Sequence, residues 1–292
     1  MVCEVTSFLE GTSRFKTKRY KEFDMLKKYI DQIKEADLVL VGVGRELSAE
    51  TLIPKDAKEI REFYKEQGKH GYEKLLQEAP SEQRDTMLEM YYRNYLLSVP
   101  EFPYFRPLKE ALEGKNYFIV SSNMDNLLYK SGFRSDRVVL PCGTGEFFQC
   151  EKPCEHRLYP ALPGVRAMID YYEETGKYDV LQCPNCQRKF VFNIRNEETA
   201  DSYLEEGYLQ LWGYYTKWLQ GTINKKVLIL ELGEGFDIPS LFKWPFEKIA
   251  FYNQKSHLIR VHEYLYQIGE ELSGKAEAVQ QNSLDFLMSE DE

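Results

Sequence analysis

Asp37-Leu-Val-Leu-Val-Gly-Val-Gly44 is the stretch on which the fold turns. From Leu38 to Val43 every residue is apolar or glycine, with no alternation, which is the pattern of a strand covered on both faces. Near the other end of the chain, Val227-Leu-Ile-Leu-Glu-Leu-Gly-Glu-Gly235 repeats the design. Backbone N–H groups at such strand-to-helix junctions can approach a phosphate, so Gly42, Gly44, Gly233 and Gly235 are candidates to line one. A tight turn without ligand has the same signature, and the third glycine of the dinucleotide fingerprint is missing after Gly44. Two junctions in one sheet can converge on the crevice beyond the strand ends, where open α/β sheets bind nucleotides.

Working outward, Tyr117-Phe-Ile-Val-Ser121 reads as another buried strand. It is followed by a short helix over Asp125 to Lys130 and a strand over Arg137 to Leu140. A last strand is expected at His257 to Val261. Ala49 to Pro100 is charged and helical, broken at Pro54, Gly68, Gly71 and Pro80, and reads as a helical excursion after the first strand. Met25, Leu26, Tyr29, Ile30 and Ile33 give residues 18–35 the spacing of an amphipathic helix. The basic residues about its start, Arg14, Lys16, Lys18, Arg19 and Lys21, read as a solvated face. Tyr208, Leu211, Trp212, Tyr215, Trp218 and Leu219 recur at helical spacing and predict a core-facing stripe. A helix opens near Pro239.

Cys150-x3-Cys154 and Cys183-x2-Cys186 bring four thiolates from two tight knuckles, the requirement of a closed tetrahedral zinc site with no open coordination position. Such a site is structural. His156 lies near the first knuckle, but the two cysteine pairs are already complete. Phe147, Phe148, Tyr159, Phe190 and Phe192 are expected to cover the knuckles. Together these readings predict an α/β chain: a Rossmann-like, doubly wound parallel sheet with an inserted four-cysteine zinc-ribbon module and a helical insertion. The expected boundaries within a single unit (1–292) are 1–140 and 222–292 for the nucleotide-binding part, 46–100 for the helical excursion and 141–221 for the zinc module.

Composition narrows the function. With 38 basic and 47 acidic side chains among 292 residues the formal charge is −9, a poor balance for binding nucleic acid or anionic membranes. The longest apolar run, Leu38 to Val43, is far short of the ~20 residues of a membrane span. Met-Val-Cys-Glu-Val-Thr-Ser lacks the pattern of a signal peptide, so cytoplasmic residence is expected, where paired cysteines point to metal rather than disulfides. The 21 tyrosines suggest a core rich in ring packing.

Ser122-Asn-Met-Asp-Asn126 after a strand resembles the Gln-Asn-Ile-Asp stretch of the sirtuins, NAD-consuming deacylases and ADP-ribosyl transferases. The chain is most similar to the macrodomain-associated (class M) sirtuins of microbes. The shared segments include Lys115-Asn-Tyr-Phe-Ile-Val120, Lys152-Pro-Cys154, Asn193-Ile-Arg195, Leu230-Glu-Leu-Gly-Glu-Gly235, Ile238-Pro239 and Trp244-Pro-Phe246, in the family's order from about 115 to 262. The resemblance implies an NAD-dependent enzyme that cleaves the nicotinamide–ribose bond and transfers ADP-ribose to a protein acceptor, in that branch a lipoyl-carrier protein. It implies that Asn123 orients the nicotinamide ribose and the attacking group, and that Asp125 hydrogen-bonds the carboxamide. Gly42, Gly44 and Ser48 then line the phosphates, with Gly233, Gly235 and His262 on the adenosine side. Asn and Asp are also common helix N-caps.

The departures are specific. Where deacylases carry a His-Gly dipeptide with the histidine as general base, this chain reads Pro141-Cys142-Gly143. Cys142 is therefore a candidate catalytic group, a weak base at best given a model thiol pKa of ~8.5. Arg45-Glu46 stands as an apparent insertion before Leu47-Ser48-Ala49. The alternatives to ADP-ribosyl transfer are lysine deacylation, a regulatory NAD-binding homologue with little chemistry, and plain NAD hydrolysis.

Overall fold

The computed structural model describes residues 24–288. Residues 18–23 of the expected first helix, the basic cluster and Cys3 lie outside the described residues; among the described residues a helix runs Asp24–Glu35. Among the described residues nine strands follow in chain order: β1 (Leu38–Val43), β2 (Tyr117–Ser121), β3 (Val138–Val139), β4 (Phe147–Cys150), β5 (Tyr159–Pro160), β6 (Phe190–Phe192), β7 (Val227–Leu232), β8 (Ser256–Val261) and β9 (Ala276–Val279). Six of them form a parallel sheet in the order β3-β2-β1-β7-β8-β9, and the other three an antiparallel sheet in the order β5-β4-β6. In register, Val41 of β1 faces Ile119 of β2 on one side and Leu230 of β7 on the other.

Because side chains alternate along a strand, the unbroken apolar run of β1 feeds two cores. Val39, Val41 and Val43 join one with Ile119 and Leu230; Leu38 and Leu40 join another with Phe118, Val120 and Ile229. Each such side chain contributes about 1.5–3 kcal/mol by leaving water. The aromatic stripe of helix Leu209–Gln220 closes the second core, with Tyr215 and Trp218 buried against Phe118.

The excursion folds into helices Ala49–Leu52, Lys58–Glu66, Gly71–Gln77 and Glu82–Ser98. Ser81 caps the last of these, its Oγ accepting from the Arg84 N–H at 3.2 Å. The tyrosines pack here as expected, Tyr64 meeting Tyr91 edge-on at 4.8 Å. The hydroxyls of this pair are satisfied: Tyr64 donates to the Tyr91 carbonyl at 2.5 Å and Tyr91 to Glu173 at 2.6 Å.

The structure differs from expectation in three places. Asp125 to Lys130 is not an α-helix but a turn leading into a single 3-10 turn, Tyr129–Ser131. The Asp125 carboxylate accepts from Leu127 N–H and reaches across to Ala49 N–H, stabilising a turn instead of capping a helix. The helix expected near Pro239 starts at Lys243 and carries Pro245 in its first turn. The sheet also continues one strand past His257 to Val261, because the short, half-exposed Ala276–Val279 adds to its edge.

Candidate functional site

Strand order reverses between β1 and β7, so the crevice lies at their carboxyl ends, where Gly44 and Gly233 come side by side. Gly44 N–H donates to the Leu232 carbonyl at 2.8 Å. A Cβ on Gly44 would lie 2.4 Å from the Cα of Glu234 and 2.5 Å from its Oε2, so no side chain fits there. Gly233 has φ +69° and turns the chain past Glu46. Gly42 serves a different purpose: a Cβ there would strike the Phe242 ring at 2.4 Å, so it permits close helix packing on the sheet. A Cβ on Gly235 would meet only ordinary contacts, Leu265 at 3.9 Å and Asp237 at 4.0 Å.

A cavity of about 360 Å³ opens beside this point, lined among others by Arg45, Ser48, Tyr92, Asn123, Asp125 and Ile238. Ser121 Oγ donates to the Val43 carbonyl at 2.8 Å and accepts from Asn123 N–H at 3.1 Å, locking Asn123 to the ends of both strands. The Asn123 side chain is 6% exposed and faces the cavity. Asp125 clamps two loops, with Oδ2 accepting from Ala49 N–H at 2.8 Å and Oδ1 from Leu127 N–H at 3.0 Å. Burial raises its carboxyl above the ordinary range, and those two bonds oppose the rise.

Two lining residues had not been anticipated. Arg93, buried on helix Glu82–Ser98, donates to the Met124 carbonyl at 2.8 Å and pairs with Glu89 at 2.7 Å. Its guanidinium also lies 5.5 Å from the ring centre of Phe192, so it joins the excursion, the Asn123 loop and the small sheet. Tyr92 lines the cavity with a buried hydroxyl that has no partner among the described residues, which suits a polar ligand group. The sequence signal was a charged and an amide residue inside Met90-Tyr-Tyr-Arg-Asn-Tyr-Leu-Leu97, an otherwise apolar and aromatic helix.

Cys142 does not line that cavity. It is 1% exposed in the turn after β3, and burial pushes its thiol up to about 12, against the pull of Arg195 and with the push of Glu234. Gly143, at φ +86°, presses on the Asn193 carbonyl and admits no side chain. His262 Nδ1 accepts from Tyr264 and Leu265 N–H at 3.0 and 3.1 Å. Nδ1 therefore carries no proton, and its 3.1 Å approach to Glu46 is not an ion pair; burial lowers the ring's pKa in accord. Glu46, from the apparent insertion, instead accepts from Glu263 and Ser283 N–H at 2.9 Å each, tying the first loop to the segment after β8 and to the start of the final helix. Beneath the crevice, Glu231 is buried between Lys243 at 2.8 Å and Arg260 at 2.6 Å.

In the small sheet the four thiols of Cys150, Cys154, Cys183 and Cys186 lie within 4.8 Å of one another. Cys150–Cys186 is 3.5 Å and Cys154–Cys183 3.7 Å. Tetrahedral zinc with Zn–S bonds of about 2.3 Å spaces its sulfurs by about 3.8 Å, so the cluster fits the ion. His156 turns away to Glu206 at 2.7 Å. The rings of Phe148, Phe190, Phe192 and Tyr159 stack together within this sheet, Phe148 meeting Phe192 at 4.7 Å.

No protein-family model matches the sequence. Over 267 residues the chain is 26% identical to "Protein ADP-ribosyltransferase" of Staphylococcus aureus (strain Mu50 / ATCC 700699), covering 85% of this chain and 80% of that protein. It is 24% identical to a "Probable bifunctional ADP-ribose hydrolase/ADP-ribosyltransferase" of Fusarium oxysporum f. sp. cubense, over 51% of this chain and only 26% of that longer protein. Among solved structures, a sirtuin studied for substrate affinity superposes with TM-score 0.53 at 15% identity, covering 90% of this chain and 95% of its own. Sir2Tm bound to a propionylated peptide gives 0.52 at 16% identity with the same coverage. The chain has the sirtuin fold, a Rossmann-like parallel sheet beside a small sheet that carries four clustered cysteines.

Proposed function

We propose that the protein is an NAD-dependent ADP-ribosyltransferase of the sirtuin type, acting on a protein acceptor. The observation that carries this reading is the meeting of Ser48, Asn123 and Asp125 in one cavity at the switch point of a sirtuin-like sheet. The likeness to a protein named for ADP-ribosyl transfer supports it. Bound NAD would supply a ribose whose bond to nicotinamide is already activated by the ring's positive charge. Cleaving that bond needs positioning and electrostatics more than a strong nucleophile. The Asn123 amide is held where it can orient the ribose and the acceptor. Asp125 keeps lone pairs for a carboxamide while its two backbone bonds hold the first loop on the Asn123 loop. Gly44, Ser48 and Gly233 would face the phosphates, with Gly235 and His262 toward adenosine, and residues 141–221 would form the zinc-held module.

Deacylation is disfavoured by Cys142, whose buried thiol stays protonated at neutral pH and cannot replace a histidine base. The class M assignment, a lipoyl-carrier acceptor and cytoplasmic residence belong to the same proposal. Incubation with labelled NAD and native lysate, following nicotinamide release and labelled protein together, tests it. Label transfer that disappears in Asn123→Ala supports the reading; efficient deacetylation of acetyl-lysine peptides by the natural chain overturns it.

A further inference from the structure

The reading above makes no use of Glu234, yet this side chain is 2% exposed and wedged between the ends of two strands. Its Oε2 lies 2.6 Å from Ser122 Oγ beyond β2. It also sits so close to Gly44, beyond β1, that a methyl group there would come within 2.5 Å of it. The backbone on either side is tied down: Gly233 N–H donates to the Val261 carbonyl at 2.9 Å, and Lys243 Nζ approaches the Glu234 carbonyl at 3.3 Å. The carboxyl therefore stays at the ends of β1 and β2, against the glycine junction and beside the cavity that Ser122 lines.

The charges around it do not neutralise it. Glu231 lies behind it on β7, Asp237 further along its own loop, Lys243 on the following helix, and Cys142 on the turn after β3. Lys243 is already engaged with Glu231 at 2.8 Å. Burial pushes the Glu234 carboxyl up to about 7, Glu231 and Asp237 adding to the rise while Ser122 and Lys243 oppose it. A carboxylate and a doubly charged pyrophosphate in one desolvated crevice repel strongly. The neutral acid has no such conflict and adds a hydrogen-bond donor.

We propose that Glu234 must carry a proton for the dinucleotide to occupy the crevice, so that NAD binds with proton uptake and its affinity is set by pH. This inference rests on the NAD-binding reading and adds a residue that controls it. If only the protonated form is competent, apparent affinity scales with the protonated fraction and falls about tenfold from pH 6 to pH 8. Uptake at pH 7 is then about half a proton per ligand.

Titration calorimetry of the full chain with NAD, and with ADP-ribose, which carries the same pyrophosphate, tests this at pH 6 and pH 8. Glu234→Gln keeps the shape and removes the titration, so it should lose the pH slope and bind at pH 8 as the natural protein binds at pH 6. Should that variant not fold, binding enthalpies of the natural protein at pH 7 in two buffers of different ionisation enthalpy report the proton directly. Affinity independent of pH, a slope that survives in Glu234→Gln, or no proton uptake overturns the inference and leaves the NAD reading standing. No binding of either ligand at either pH overturns both.

Discussion

The four thiols of the small sheet and the crevice at the ends of β1, β2 and β7 both concentrate polar groups, but they are held in opposite ways. In the thiol cluster the sulfurs approach one another, Cys154 and Cys186 remain half-buried, and beyond the ring stack the sheet has only three short strands. Four thiolates there would repel without a cation, and a bound ion would relieve that repulsion. In the crevice the charges are paired within the protein, as in Glu231 with Lys243 and Arg260, over two apolar cores. That region holds its shape by itself and leaves Asn123 and Glu234 free of structural ion pairs. The thiol cluster is built as an ion would need it, whereas the crevice is shaped by contacts within the protein.

The largest expected effect breaks the first half of that contrast. Cys183→Ser, or zinc removal by chelation, should unfold the small sheet, since structural zinc supplies about 10–16 kcal/mol of apparent binding free energy in small zinc folds. Hydrogen exchange should show protection lost in β4 to β6 and kept in β1 and β7. Elemental analysis of the natural protein should find about one equivalent of zinc, and metal-free protein with an ordered small sheet would contradict this.

Glu231→Gln tests the second half by leaving Lys243 and Arg260 buried with one carboxylate fewer. Breaking a buried pair costs about 3–5 kcal/mol, read as a lower denaturant midpoint with unchanged zinc content. An effect below 1 kcal/mol would mean that the crevice does not depend on its internal ion pairs.

Glu234 makes a pH prediction in the absence of ligand. Its folded value of about 7 stands above the ordinary 4.5, so the folded state binds more protons than the unfolded chain between those limits. The contribution to stability is fully present below about pH 4.5 and is lost as pH rises to about 7, a change of about 3 kcal/mol. The difference in unfolding free energy between the natural chain and Glu234→Gln, measured across that range, isolates this group. The smallest effect belongs to Cys142, which is buried and does not line the cavity. Cys142→Ala should change nicotinamide release less than about twofold; a loss approaching the 100-fold of a removed general base would restore it to the catalytic set.

Local pattern was enough for much of this protein. The apolar runs of β1, β2 and β7 announced strands covered on both faces, and the cysteine spacings announced the cluster, because strand periodicity and knuckle geometry are set by neighbours a few residues apart. Tertiary structure decided the rest. Arg93 reaches the Asn123 loop from a helix about 30 residues away in sequence, and Glu46, in the apparent insertion, is a tether to the segment after β8 and to the final helix. No basic residue stands beside Cys142 in sequence, yet Arg195 approaches it in space, and burial still outweighs that cation. Gly42 and Gly44 look alike in the chain, but one faces Phe242 and the other Glu234. Residues two apart on an extended chain point to the same face, so what distinguishes these two glycines is supplied entirely by segments far away in sequence.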